Sequence, residues 1–174
     1  DATGFENIFQ GTDHGDRFTG TTGANLIYGD GGNDSIYGGG GNDTLYGGAG
    51  NDTLDGAKAA DTLLGGGGAD TFVYHSDGFG LDVIRGFVGG VDVLDFTAFD
   101  SGDIRVIRAG DDVRVRLDRN DFVTIEDVTR AEVLDSLLLG CPRRRCAAGP
   151  PPGLFAFGRV ACLFGGRFGL CLGF

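Results

Sequence analysis

The 174-residue chain has no Met, no Trp, only two His and four Pro, and no cysteine before Cys141. Each gap removes a class of explanation. Without cysteine in residues 1–140, no disulfide framework staples that stretch together. His14 and His75 stand alone and cannot supply the H-E-x-x-H pair of a zinc protease. No G-x-S-x-G nucleophile turn is present, and neither His has a recognisable nucleophile beside it. The adjacent acids Asp111–Asp112 and Glu126–Asp127 fall on alternating strand faces and read as solvated edges. The residues therefore offer no catalytic set. Asp1–Gln10 has neither the basic start nor the apolar run of a signal peptide, and the lack of Met suggests a fragment or processed product.

Positive charge is scarce as well. All 25 acidic residues lie in 1–140 against nine basic ones, while residues 141–174 carry five Arg and no acid. So acidic a body repels nucleic acid and anionic membrane and attracts multivalent cations. The length suits one modest domain, or a solenoid with a cap.

Glycine is what the chain has in excess, 35 residues without the three-residue period of collagen. Its period is nine, running through Gly11, Gly20, Gly29, Gly38, Gly47, Gly56 and Gly65. Five places after each glycine stands Asp16, Asn25, Asp34, Asp43, Asp52, Asp61 or Asp70. Two places further comes a large apolar residue: Phe18, Ile27, Ile36, Leu45, Leu54, Leu63 or Phe72. Three files in one phase predict a tight carboxylate-bearing turn followed by a three-residue strand whose middle side chain points inward. Glycine at positions 1, 2 and 4 of each unit answers to positive φ and close backbone approach. A degenerate unit at 2–10 keeps Asn7 and Phe9 in phase and is expected to form the first edge. A structureless linker would not hold the eighth position in phase. A metal-free solenoid with Asp as turn former stays open. Ice binding needs a flat Thr file on the loops, and the third positions (Asp13, Thr22, Gly31, Gly40, Ala49, Lys58, Gly67) do not provide one.

The units resemble the RTX (hemolysin-type) calcium-binding family, whose repeat reads G-G-x-G-x-D-x-U-x with U apolar. The resemblance implies an all-β fold: a parallel β-roll with two units per turn, loaded with Ca²⁺ and closed by a β-rich C-terminal cap. It implies Ca²⁺ held between stacked loops by position-6 side chains and loop carbonyls. The best pairs are then Asp34 with Asp52, joined by carbonyls of Gly29, Gly31, Gly48 and Gly50, and Asp52 with Asp70, joined by those of Gly47, Ala49, Gly66 and Gly68. Asp43 with Asp61 is weaker because GAKAAD puts Ala57, Lys58 and Ala59 in its loop. Asn25 with Asp43 lacks one charge; Asp16 with Asp34 has His14 where glycine is expected. Carbonyls of Gly38 and Gly40 are implied as ligands as well. Two good calcium sites, and up to about five in all, is the expectation. At roughly 10⁻⁴ M affinity, and free calcium ten to a hundred times higher, each site adds about 1.4–2.7 kcal/mol. The family also implies an extracellular protein of Gram-negative bacterial type, exported unfolded by a type I exporter. Two other settings are the detached C-terminal module of a secreted hydrolase (protease, lipase or alginate-modifying enzyme) and part of a repeat adhesin.

From Tyr74 the nine-residue beat gives way to period-two alternation, and residues 74–139 read as the cap. IRVIRAGDDVRVRLD (104–118) and FVTIEDV (122–128) predict antiparallel strands about an Ala109–Asp112 turn, with Val113, Val115 and Leu117 facing in. Thr129 and Glu132 predict a capping box opening a helix through Leu139. AEVLDSLLL (131–139) also resembles the family's uncleaved export ending. The tail, 140–174, is rich in Cys, Arg, Pro, Gly and Phe. Its 153–174 stretch is long enough to seek a membrane but is interrupted by Arg159 and Arg167. Its cysteines lack a C-x₂-C pair or a His for zinc. The composition reads best as an out-of-frame or readthrough extension without order.

Overall fold

A computed structural model of the chain describes residues 4–76, 78–100, 103–117, 120–140, 160–164 and 167–171. Through the repeats the chain forms β1 (Asn7–Thr12), β2 (Arg17–Thr19), β3 (Asn25–Asp30), β4 (Ser35–Gly40), β5 (Thr44–Ala49), β6 (Thr53–Lys58), β7 (Thr62–Gly67) and β8 (Thr71–Val73). Odd strands stack in parallel on odd, and even on even, so each unit rests on the unit two places before it. Phe9, Ile27, Leu45 and Leu63 lie side by side on one sheet. Phe18, Ile36, Leu54 and Phe72 do so on the other. This is the expected β-roll. Ile27, Leu45, Leu54, Leu63 and Phe72 are wholly shielded from solvent, and full burial of such a side chain is worth about 1.5–3 kcal/mol. Phe9 and Phe18, on the first coil, are only partly buried. Most strands are six residues long, not three, because pairing runs on into the loops: Gly39 lies beside Ala57 and Gly48 beside Gly66.

Stacking also outlasts the nine-residue spacing. β9 (Leu81–Arg85) pairs with β7 and sets Ile84 on Leu63. β10 (Val93–Asp100) pairs with β8 and sets Leu94 on Phe72. The expected antiparallel strands follow as β11 (Arg105–Ala109) and β12 (Asp112–Arg116), with Val113 and Val115 fully buried. β13 (Phe122–Ile125) lies between β12 and β9, antiparallel to the first and parallel to the second. Tyr74, Phe79, Phe96 and Phe99 pack as an aromatic plug at this end, with Tyr74 and Phe96 rings stacked at 4.6 Å.

Helix α1 (Arg130–Ser136) opens on the expected capping box between Thr129 and Glu132. It stops at Ser136, short of the expected Leu139. There Leu137 turns extended, and β14 (Leu137–Gly140) joins β10 in parallel, where Leu137 and Leu139 pack against the core. In the tail, β15 (Val160–Phe164) and β16 (Arg167–Cys171) form an antiparallel hairpin where the composition predicts no order. Cys141, Cys146 and the Pro triplet lie outside the described residues. Among the described residues no helix is long and apolar enough to cross a membrane.

Candidate metal centre

The loops owe their shape to alternating backbone handedness. From the loop at 29–34 to the loop at 65–70, positions 2 and 4 are left-handed, as at Gly48 (φ 112°) and Gly50 (φ 131°). Ala57 (φ 72°) and Ala59 (φ 86°) adopt the same conformation without being glycine, so GAKAAD keeps the loop geometry at a cost of about 1–2 kcal/mol per residue. Position 1 needs glycine for another reason. A Cβ on Gly47 would collide with the carboxylate of Asp52 in its own loop and with the carbonyl of Gly65 in the next coil. Gly29 stands in the same relation to Asp34 and Gly47, and Gly38 to Asp43 and Gly56.

Into that space the position-6 side chains reach as a ladder. The Asp34 N–H donates to Asp52 Oδ1 (2.8 Å), and the Asp52 N–H to Asp70 Oδ1 (2.9 Å). On the other side the Asn25 N–H donates to Asp43 Oδ1 (2.7 Å), and the Asp43 N–H to Asp61 Oδ1 (2.8 Å). One oxygen of each carboxylate is thus spent on the preceding coil. The second oxygens of Asp34, Asp43, Asp52, Asp61, Asp70 and Asp82 are buried with no hydrogen-bond partner. Burial without a partner penalises the charged form. It raises the pKa of Asp43, Asp52 and Asp70, and pushes Asp61 up to about 8, with the neighbouring Asp43 and Asp55 charges adding to the effect.

The two weaker expected ligands differ from the rest. Asp16 Oδ2 accepts from both the backbone N–H and the hydroxyl of Thr12 (2.8 Å each), so its loop is satisfied by protein. Asn25 turns its Nδ2 donors toward the Gly23 carbonyl and Asp43 Oδ1, occupying with an amide the space left open at the aspartates.

The loop carbonyls face differently from the expected set. Because φ alternates in sign, successive peptide planes turn opposite ways. Between loops 29–34 and 47–52, the carbonyls of Asp30 and Gly32 face upward to Gly48 and Gly50. Those of Gly47 and Ala49 face down, Ala49 accepting the Gly32 N–H at 2.8 Å. Gly29 is turned toward Gly11, Gly48 toward Gly66, Gly50 toward Gly68 and Gly38 toward Gly20. The oxygens lining the gap are therefore one residue out of step with the Gly29, Gly31, Gly48 and Gly50 set, and the next gap follows suit.

Sequence reasoning missed two rungs. Asp82 Oδ1 accepts the Asp61 N–H (2.9 Å), and Asp92 Oδ1 the Asp70 N–H (3.1 Å), both past the last repeat. The signal was there in DGFGLDVIR (77–85), which departs from the repeat only at its first position but is displaced by three residues. A further ladder runs along position 5: Asn33 Oδ1 accepts the Asn51 N–H, and Asn51 Oδ1 the Ala69 N–H.

The donor set consists of buried carboxylate oxygens without partners and backbone carbonyls, around spaces that a Cβ would fill. Ca²⁺ takes six to eight oxygens in irregular arrangement, and these residues fit it. Among the described residues no three His, Cys, Asp or Glu side chains converge, so each gap relies on carbonyls as well as carboxylates. A profile described as the RTX calcium-binding nonapeptide repeat, in four copies, matches residues 10–45 and 37–72. The repeat segment belongs to that family. RTX repeats are structural calcium-binding units, and nothing in the described residues shows a catalytic site. The solution structure of the AlgE6R3 subunit of a mannuronan C5-epimerase from Azotobacter vinelandii is 29% identical over 88% of this chain and 93% of its own. Its TM-score is 0.34. No curated protein matches the chain.

Proposed function

We propose that this RTX chain is a calcium-dependent module of a bacterial extracellular protein, folding on Ca²⁺ after export. The observation that carries the reading is the pair of files of buried, partnerless carboxylate oxygens, Asp34–Asp52–Asp70 and Asp43–Asp61–Asp82. Unit charges a few ångströms apart repel by about 1 kcal/mol per pair even at water's dielectric, and more when shielded from it. The apolar interior of one residue in nine is thin, and the glycine-rich loops lose much entropy on ordering. A divalent cation in each gap answers both deficits. Asp34, Asp52 and Asp70 with the carbonyls of Asp30, Gly32, Gly47 and Gly65 would hold it on one side; Asp43 and Asp61 with the carbonyl of Gly56 would do so on the other.

Calcium-poor cytoplasm then keeps the chain loose enough to thread a type I exporter, and calcium outside folds it in place. The 131–139 ending serves the exporter only before folding, since afterwards Val133 is buried and Leu137–Leu139 are paired with β10. The test is a calcium titration followed by far-UV circular dichroism, with magnesium in parallel. Strand signal should rise cooperatively with calcium and stay flat with magnesium, which demands stricter octahedral geometry. Equal folding in magnesium, or full strand content in chelator, would reject the reading.

A further inference from the structure

One largely buried carboxylate stands outside the position-6 ladder. Asp55 ends its repeat at position 9, the place that Tyr28, Tyr37 and Tyr46 hold in the three units before it. It lies beside Tyr37 across β4 and β6, yet only 15% of its side chain is exposed. Residues just past the last repeat complete its surroundings. Tyr74, His75 and Phe79 join Tyr37, Asp55 and Ala57 around a hollow of about 340 Å³ that opens to solvent. A carboxylate shielded from water is costly unless it is well paired. Asp55 Oδ2 has His75 Nδ1 at 3.0 Å, on an imidazole that is itself 69% exposed. That partner is free to swing away.

The hollow combines negative charge with aromatic walls. The charges of Asp82, Asp61 and Asp55 all act on the Tyr74 hydroxyl, which is buried without a hydrogen-bond partner. Tyr74 and Phe79 meet edge to face at 4.8 Å, while Tyr37 is 45% exposed. Such walls do not offer the six to eight oxygens that calcium takes. They suit a cation with a hydrocarbon body, because aromatic faces attract positive charge and a carboxylate makes strong hydrogen bonds to N–H donors. We propose that this hollow binds a primary alkylammonium group. Asp55 accepts from the ammonium, Tyr37 and Phe79 flank the alkyl stem, and His75 gives way to it. Ions in the ladder would balance Asp61 and Asp82 but leave Asp55 its charge, so the site is available in the calcium-loaded chain. A lysine side chain and a free small amine share this chemistry.

The test uses the full chain in saturating calcium, with n-butylammonium as probe and n-butanol as its uncharged match. Amide resonances of Tyr37, Asp55, Ala57 and 74–76 should shift saturably with butylammonium and stay still with butanol. Asp55→Asn keeps the side chain's shape and should weaken binding about tenfold or more, since a charged hydrogen bond is lost. Tyr37→Ala, at an exposed position, should weaken it about threefold and decides the matter if the Asn variant misfolds. Calcium counted by equilibrium dialysis should be unchanged in both variants, which separates this site from the calcium reading of the repeats. Nα-acetyl-lysine methylamide is titrated in parallel: an affinity matching butylammonium assigns the site to a lysine side chain, and binding of butylammonium alone assigns it to a free amine. No saturable shift, an equal response to butanol, or unchanged affinity in the variants overturns the site. So does a lower calcium count in Asp55→Asn, which would place that carboxylate in the ladder instead.

Discussion

Acid should partly replace calcium in a metal-free sample. Asp61 and Asp82 are held at about 8, against an ordinary 3.8, because burial disfavours their charge and nearby carboxylates repel it. In the unfolded chain the same groups ionise near their ordinary value. Between those limits the folded, metal-free chain carries protons that the unfolded chain has released. Their contribution to stability is complete below about pH 4 and is lost as pH climbs toward 8. Each group changes it by about 1.4 kcal/mol per pH unit. Going from pH 7.5 to 5.5 should therefore favour the metal-free fold by about 3–5 kcal/mol, comparable with the whole stability of a small domain. Asp43, Asp52 and Asp70 shift in the same direction and add to it. The assay is far-UV circular dichroism in chelator at several pH values. Strand signal should grow on acidification, while with calcium present the half-saturating concentration should rise, because protons and calcium compete for the same oxygens. Strand content in chelator that stays level or falls between pH 7.5 and 5.5 would refute the reasoning.

Further predictions concern the loops and core. Ala57→Gly with Ala59→Gly removes two side chains from left-handed backbone and should gain about 1 kcal/mol in saturating calcium, read as a higher denaturation midpoint. Gly47→Ala places a Cβ against Asp52 and the Gly65 carbonyl and should weaken calcium binding at least about tenfold by titration, since the loop must open by more than a side-chain adjustment. Leu54→Ala empties a fully buried position between Ile36 and Phe72 and should cost about 2–5 kcal/mol in calcium-loaded denaturant unfolding.

Much of the roll was legible because its determinants are local and periodic. The eighth-position file from Phe18 to Phe72 fixes which side chain turns inward, and the sixth-position file fixes where carboxylates stack. The direction of each loop carbonyl was not legible. It depends on the alternation of φ at residues such as Asp30 and Gly32, whose left-handed state shows only in the folded loop. Asp82 and Asp92 escaped notice because inserted residues broke the phase, whereas stacking depends on strand pairing and not on even spacing. The helix was overextended because its capping box marks a start, while its end at Ser136 is set by the pull of Leu137 and Leu139 toward the edge of β10.

The hydrogen bonds of the ladder all run one way, each coil's amide being received by the carboxylate of the coil that follows. The column therefore has a finished end, where Asp92 and β13 terminate the series, and an open end at β1 and β2. A further coil could be set against the open end with every rule of the pattern obeyed. At the finished end the described residues leave no vacancy of that kind, so such a column can vary in length while its closure stays the same.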